Sequence, residues 1–222
     1  MITTTPAPMG VRAAHKRATR DALIEAGLAE FAEHGPVTPS LDAICARAGY
    51  TRGAFYVHFR DRDDLVVAVM ERVLGGLLGA MTAAGRAEVG GLRGAIGHFT
   101  AAAVARSPAV HGDRAVRFHH ILEACRSSAV IGDRYLTLLG GLAAWVSQSA
   151  KSEQRAGRLR HDVGAEAIAE LVMAAGLGLV VLLELGLAVD PPRLGETVLT
   201  LVQPASTATR PRRRAAIRSR AE

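Results

Sequence analysis

The stretch that most constrains the fold is Ser40 to Leu65, with the sequence SLDAICARAGYTRGAFYVHFRDRDDL. Ser40 is a good N-cap because its hydroxyl can accept hydrogen bonds from the free backbone N–H groups of a first helical turn. Gly49 can adopt the left-handed conformation that ends a helix in a sharp turn. Thr51 then caps a second short helix, and Asp61 caps the next one. Two short helices joined by a tight turn predict a helix-turn-helix, whose second helix normally enters the DNA major groove.

The same stretch resembles a known protein family. Between Ala43 and Leu65 the chain contains the pattern AGxxxGxxYxxFxxRxxL, with Tyr56, Phe59 and Arg62 in register. This pattern is similar to the DNA-binding domain of the TetR (tetracycline-repressor-like) transcriptional regulators, and the resemblance covers about residues 16–66. It implies an all-α fold, in which an N-terminal three-helix DNA-binding domain precedes a larger helical domain that binds a ligand and forms a dimer.

The second short helix and its flanks supply the predicted DNA contacts. Arg52 can donate two hydrogen bonds to guanine O6 and N7, so it is predicted to read bases. The resemblance implies that Tyr56, His58 and Arg62 hold phosphates, which positions the protein without reading sequence. The alternative for each residue is a solvent-exposed side chain without a partner. The predicted DNA-binding residues are Ser40, Thr51, Arg52, Tyr56, His58, Arg62 and Lys16.

The net charge of +6 gives little independent support for DNA binding. Residues 210–222 contain six arginines and one glutamate, so the rest of the chain has a net charge of only +1. This tail could add sequence-independent DNA affinity, or it could be solvated without a partner. The prediction of DNA binding therefore depends on the helix-turn-helix.

Composition and helix signals divide the chain into four segments. Beyond the helix-turn-helix, glycines and prolines predict five or six further helices, with breaks at Pro108, Gly132, Gly157 and Pro191. The predicted segments are a disordered N-terminal arm (1–13), a helix-turn-helix DNA-binding domain (14–66), a helical ligand-binding and dimerisation domain (67–205) and a basic disordered tail (206–222).

Two of the later predicted helices, near 133–156 and 164–187, have apolar residues on more than one side. A helix that is apolar on two sides must bury both of them. One side then belongs to the core of the chain and the other to a partner subunit. The resemblance implies the same arrangement, a homodimer formed through a four-helix bundle.

A cavity within a helical domain is the expected site for a small ligand. Aromatic, sulfur and imidazole side chains are candidates for its wall, with ordinary core packing as the alternative. His119 and His120 are adjacent and face different sides of a helix, and no HxxxH or CxxC pattern is present, so no metal or other cofactor is predicted. The candidate ligand-binding residues are His98, Phe99, Phe118, His119, Leu122, Trp145 and Met173.

Several other function classes are disfavoured by the sequence. The longest uncharged apolar run, Leu171–Leu183, is shorter than the roughly 20 residues that a membrane span needs. Cys45 and Cys125 are isolated, and the first ten residues lack the pattern of a secretion signal, so a reducing cytoplasm is expected. Cys45 is predicted to be a small buried residue. Phosphate-binding, dinucleotide-binding, zinc-protease and serine-hydrolase motifs are absent, so the chain is not predicted to be an enzyme.

Three hypotheses follow from the sequence. The first is a dimeric repressor that binds a palindromic DNA operator and is released by a small, mainly apolar effector. The second is a non-specific architectural DNA-binding protein, whose C-terminal domain serves only assembly. The third, a small-molecule-binding protein or enzyme with a vestigial helix-turn-helix, is disfavoured because the caps, the turn and the cationic residues are intact.

Overall fold

The computed structural model describes residues 9–86, 91–105 and 116–204, and this part of the chain contains nine α-helices and no β-strand. The fold is therefore all-α, as predicted. The helices are α1 (Met9–His34), α2 (Leu41–Ala48), α3 (Arg52–Tyr56), α4 (Arg62–Arg86), α5 (Gly91–Ala105), α6 (Phe118–Ser127), α7 (Ala129–Arg155), α8 (Ala165–Glu184) and α9 (Pro191–Val202).

The first helix begins earlier than the sequence predicted. Helix α1 starts at Met9 rather than at residue 14, so the end of the predicted arm is helical. No proline occurs between Pro8 and Pro36, and the alanines and arginines in this stretch favour a helix. Residues 1–8 of the predicted arm, the predicted break at Pro108 and the tail 206–222 lie outside the described residues.

One hydrophobic core joins the N-terminal helices to the rest of the molecule. Phe31, Ile44 and Phe55 are fully buried and belong to the same cluster, so α1, α2 and α3 pack around one core. The cluster continues through α4 to Ile121 of α6. Cys45 lies in it as a small buried residue, and burial raises the pKa of its thiol. The packing therefore continues across residue 66, where the sequence predicted a domain boundary.

A second core lies among α5, α7, α8 and α9. Its buried residues include Leu92 and Ile96 of α5, Val146 of α7, Ile168 of α8 and Val198 of α9. Gly195 allows α9 to approach α5 closely, since a Cβ atom added there would lie 3.0 Å from the side chain of Ile96. These helices therefore pack around a second core of their own.

The predicted break at Gly132 is wrong, because Gly132 lies inside α7. The helix begins after Ser128, whose hydroxyl accepts a hydrogen bond from the backbone N–H of Ile131 at 3.5 Å. Gly132 instead allows α6 and α7 to approach, since an added Cβ would lie 3.2 Å from the carbonyl oxygen of Cys125. The predicted break at Gly157 is confirmed, and its φ of 71° is left-handed.

Helix α8 has more apolar surface than the described chain covers. Of the helices that the structure describes, α8 is the one whose length and composition would allow it to cross a membrane. Only 17% of its most apolar stretch is buried within the chain. An exposed stripe on this helix consists of Ala167, Leu171, Ala174 and Gly178, spaced four, three and four residues apart. This spacing places the four residues on one face.

Candidate nucleic-acid interface and internal cavity

The helix-turn-helix is held in shape by its own caps. The Ser40 hydroxyl accepts a hydrogen bond from the backbone N–H of Ala43 at 3.1 Å, and the Thr51 hydroxyl accepts one from that of Ala54 at 3.3 Å. Between the two helices, Gly49 has a left-handed φ of 73°. A hydroxyl that accepts a capping bond still has a hydrogen to donate, so both caps retain the chemistry needed for a phosphate contact.

The outer face of α3 is exposed. Its core-facing residue is Phe55, whereas the side chains of Arg52, Tyr56 and Val57 point to solvent. The Nε atom of Arg52 lies 2.6 Å from Oδ1 of Asp42 on α2. This exposed ion pair occupies the guanidinium at the start of α3, so any contact of Arg52 with a base would have to compete with it.

The fold brings Lys16 and His58 close together, although 42 positions separate them. His58 is half-buried, and the pKa of its imidazole is lowered by burial and then by the positive charges of Lys16 and Arg20 on α1. The guanidinium of Arg20 lies 5.1 Å from the centre of the Phe59 ring. The N-terminal part of α1 and the residues after α3 therefore form one cationic surface beside the exposed face of α3.

Arg62 is oriented differently from the other predicted DNA-binding residues. Its Nε donates a hydrogen bond to the carbonyl oxygen of Pro39 at 3.2 Å, and its Nη2 donates to that of Pro36. The guanidinium also lies 5.9 Å from the centre of the Phe31 ring, and burial lowers the pKa of the group. In this conformation Arg62 ties α4 to the loop between α1 and α2.

A cavity of about 200 Å³ lies among α4 to α9. Most of its wall is apolar, and leucine, valine and phenylalanine dominate it. Three described polar residues, Thr100, Tyr135 and Glu184, also line it. Burial raises the pKa of Tyr135 to about 12, so its hydroxyl stays neutral. A mainly apolar wall with a few polar groups is typical of a small-molecule site.

Three of the seven candidate ligand-binding residues line the cavity, namely Phe99, Phe118 and Met173. The prediction of a cavity wall was wrong for His98, His119, Leu122 and Trp145.

Helix geometry explains the four wrong predictions. His98 precedes Phe99 and faces solvent, because neighbouring residues on a helix point about 100° apart. His119 and Leu122 are exposed on α6, and Trp145 packs against the second core. Within the described residues no group of three potential metal ligands was found.

Three polar residues of the cavity, Thr100, Tyr135 and Glu184, were not predicted from the sequence. Glu184 directly follows the apolar run Leu171–Leu183, and this abrupt change from apolar to charged residues was an available signal. Tyr135 offered no comparable signal, since a tyrosine on a helix is more often an ordinary part of a core. Asp42, the partner of Arg52, was also missed, because its contact depends on how α2 and α3 cross.

Helix α6 connects the cavity to the DNA-binding domain. Phe118 and Ile121 line the cavity, and Ile121 also belongs to the first core together with Phe31. The adjacent residue of α6, His120, packs against Gly35 at the end of α1, where an added Cβ would lie 3.4 Å from the imidazole. A change in the cavity wall therefore has a direct physical route to the base of the helix-turn-helix.

Comparison with known proteins supports the assignment of the N-terminal domain. Residues 23–69 match the model of the bacterial regulatory proteins of the tetR family. Over 53 residues the chain is 40% identical to the HTH-type transcriptional regulator AcrR of Shigella flexneri. That stretch is 24% of this chain and 25% of AcrR, so the match spans about a quarter of the relative's length.

Solved structures share the fold over most of the chain. SmeT of Stenotrophomonas maltophilia in its triclosan complex is 21% identical with a TM-score of 0.69, covering 85% of this chain and 93% of SmeT. Escherichia coli NemR in its reduced form is 18% identical with a TM-score of 0.68, covering 84% and 99%. Residues 23–69 therefore contain a DNA-binding domain of the tetR-family type, and the described chain shares the overall fold of these solved structures.

Proposed function

We propose that the protein is a dimeric transcriptional repressor that a small, mainly apolar effector releases from a palindromic DNA operator. The observation that carries the proposal is a capped helix-turn-helix with an exposed, cationic outer surface, connected through α4 and α6 to an apolar cavity. Its expected place of action is the cytoplasm, where a bacterial regulator meets the chromosome.

Base recognition is assigned to Arg52 at the start of α3. Its planar guanidinium can donate to guanine O6 and N7 once the duplex competes with Asp42 for it. Tyr56, His58 and Lys16 surround α3 with groups that can donate to phosphates, and the hydroxyls of Ser40 and Thr51 can do the same. For Arg62 the contacts with Pro36 and Pro39 favour a bracing role over a phosphate contact.

Dimerisation is assigned to α7 and α8, the helices that the sequence placed near 133–156 and 164–187. The exposed stripe of α8, from Ala167 to Gly178, has small and apolar side chains. Leu136, on the exposed side of α7, is 66% exposed. Covering these surfaces with a second copy would bury apolar area. A dimer that binds half-sites one turn of DNA apart needs its two recognition helices about 34–36 Å apart.

The effector is assigned to the cavity. Its apolar wall favours a mainly apolar compound, and the structure of SmeT, which is similar in fold, is of a complex with triclosan. Val73 and Leu74 of α4 and Ile121 of α6 line the cavity, and both helices also pack into the first core. A ligand that favours a different arrangement of these helices would lower DNA affinity, with a typical coupling of roughly 1–3 kcal/mol.

Selection of bound duplexes from a random pool by the purified protein tests the proposal. Recovery of a near-palindrome with half-sites one helical turn apart is expected. On that duplex, Arg52→Ala should relax the preference at one base position of each half-site and cost about 1–3 kcal/mol per contact. Lack of any enriched sequence would instead favour an architectural DNA-binding protein, and unchanged base preference in the variant would refute the assignment of Arg52.

A further inference from the structure

The charge distribution on the cavity wall is uneven. Glu184, near the end of α8, is the one charged side chain among the described residues that line the cavity. The other two polar side chains are uncharged, and the Thr100 hydroxyl already donates a hydrogen bond to the carbonyl oxygen of Gly97 at 2.9 Å. A ligand in this cavity therefore meets a single negative charge on a surface that is otherwise nearly apolar.

Glu184 differs from the other carboxylates of similar exposure. The side chains of Glu30, Glu153 and Glu184 are 11%, 14% and 17% exposed, respectively. Glu30 pairs with Arg47 at 2.7 Å, and Glu153 pairs with Arg158 at 2.6 Å. For Glu184 the basic neighbour in the described chain is a histidine. Carboxylates with so little exposure normally have a cationic partner, because removing a charge from water is costly.

The contacts that Glu184 does make leave part of its capacity unused. Its Oε1 accepts a hydrogen bond from the backbone N–H of Phe118 at the start of α6, and its Oε2 lies 3.6 Å from Nδ1 of His119. An ionised carboxylate can accept about four hydrogen bonds. The helix end contributes only about half a positive charge, so it balances the carboxylate only in part.

A purely apolar ligand would be poorly matched to this site. By filling the cavity it would displace the water that solvates Glu184 and would supply no hydrogen bond in return. An anionic ligand would add electrostatic repulsion at short range. A ligand with a protonated amine beside Glu184 avoids both penalties, because the N–H groups donate to the carboxylate while the apolar body fills the remaining space.

We infer that Glu184 determines effector specificity and that the effector class is an apolar compound with one protonated amine. The inference rests on the proposed function, since it names the ligand of the same cavity. Glu184 acts as the binding partner of the cation, and the apolar wall accommodates the rest of the molecule. The same carboxylate holds the first turn of α6, so a cation bound to it sits where the cavity meets the helix that leads to the DNA-binding domain.

A matched set of naphthalene compounds, carrying an aminomethyl, a hydroxymethyl or a carboxylate group, tests the inference by calorimetry on the full chain. The amine should bind the wild-type protein roughly ten- to a hundredfold more tightly than the alcohol, the range for a charged hydrogen bond, and the carboxylate should bind weakest. Glu184→Gln keeps an acceptor for Phe118, removes the charge and should abolish the preference for the amine. Glu123→Gln, the same change on the exposed side of α6, should retain it.

The outcomes separate the two levels of the proposal. Equal binding of the amine and the alcohol to the wild-type protein would overturn the role of Glu184 and leave the ligand-binding cavity intact. An amine preference that persists in Glu184→Gln would also overturn it. If none of the three compounds binds, the ligand-binding role of the cavity fails and the inference fails with it. The ranking in the wild-type protein is informative even if Glu184→Gln does not fold.

Discussion

The DNA-binding domain, α1 to α3 and the start of α4, and the cavity domain, the helices α4 to α9 around the cavity, use their apolar side chains in opposite ways. In the first, Phe31, Phe55 and Leu65 are fully buried in one cluster. In the second, half-buried side chains such as Phe99 and Leu139 surround a space of about 200 Å³. A densely packed core has one low-energy arrangement, whereas a wall around a space can move to fit an occupant. The comparison indicates a rigid DNA-binding domain beside a cavity wall that can adapt its shape.

Exposed ion pairs connect α4 both to α1 and to α7. Arg72 of α4 pairs with Asp21 at 2.5 Å and with Glu25 at 3.0 Å on α1. These exposed pairs are individually weak, but together they hold Arg72 of α4 against about one turn of α1. Arg134 of α7 pairs with Glu71 of α4 and extends the bracing toward the cavity domain. Movement of α4 is therefore expected to involve the whole helix.

Removing one phenylalanine from each region gives the largest expected effect. Phe31→Ala opens a hole in a filled core and should lower the free energy of unfolding by about 3–5 kcal/mol. Phe99→Ala, whose ring lies against Gly176 on the cavity wall, enlarges an existing space and should cost only about 1–2 kcal/mol. Urea titrations of both variants measure the difference. Equal losses would mean that the wall is packed as tightly as the core.

The substitution Ala174→Arg, in the middle of the exposed stripe, tests whether a second copy of the chain covers the outer face of α8. A guanidinium there should prevent a second copy from approaching, so sedimentation should detect monomers. Affinity for the selected operator should fall by about a hundredfold or more, because a monomer offers one recognition helix in place of two. Ala101→Arg makes the same substitution on an exposed position of α5 and should leave a dimer. A dimeric Ala174→Arg would move the interface elsewhere.

The contrast between the regions also explains what the sequence could predict. Ser40, Gly49 and Thr51 act within a few residues of themselves, so local chemistry specified the helix-turn-helix and its exposed face. Which residues line the cavity depends on how six helices cross. Helical spacing shows that Phe99 and His98 face different sides of α5, but only the structure shows which of these sides faces the cavity. Glu184 and Phe118 are 66 positions apart, and periodicity carries no information on such a contact.

Arg62 is the residue for which local and long-range reasoning disagree. The pattern suggested a phosphate contact, whereas the structure directs its guanidinium to two carbonyl oxygens. If bracing is its role, Arg62→Ala should destabilise the protein by about 1.5–3 kcal/mol, the usual value for hydrogen bonds to a charged group. Arg62→Lys should recover only part of this, because an ammonium group does not reproduce the planar fork. Chemical denaturation measures both.

The salt dependence of DNA binding separates the two roles of Arg62. A bracing residue leaves the slope of log affinity against log salt unchanged in Arg62→Ala. A phosphate contact would reduce the magnitude of that slope by about one. Lys16→Ala serves as the comparison, since its exposed ammonium is assigned to a phosphate and should reduce the slope. A reduced slope in Arg62→Ala would restore the interpretation based on the sequence pattern.

His58 should give the smallest effect, and its sign follows from the lowered pKa. Burial and the charges of Lys16 and Arg20 hold the pKa of the folded imidazole below its ordinary value of 6.5. As pH falls from about 6.5 toward the lower pKa of the folded protein, the unfolded chain binds the proton first, so the free energy of unfolding decreases. His58→Gln should weaken this decline at acidic pH relative to the wild-type protein. Bound phosphate should raise the pKa, so operator affinity should increase as pH falls. Proton NMR of the imidazole, with and without duplex, measures both values, and a pKa at or above 6.5 in the free protein would contradict the buried, cation-flanked position.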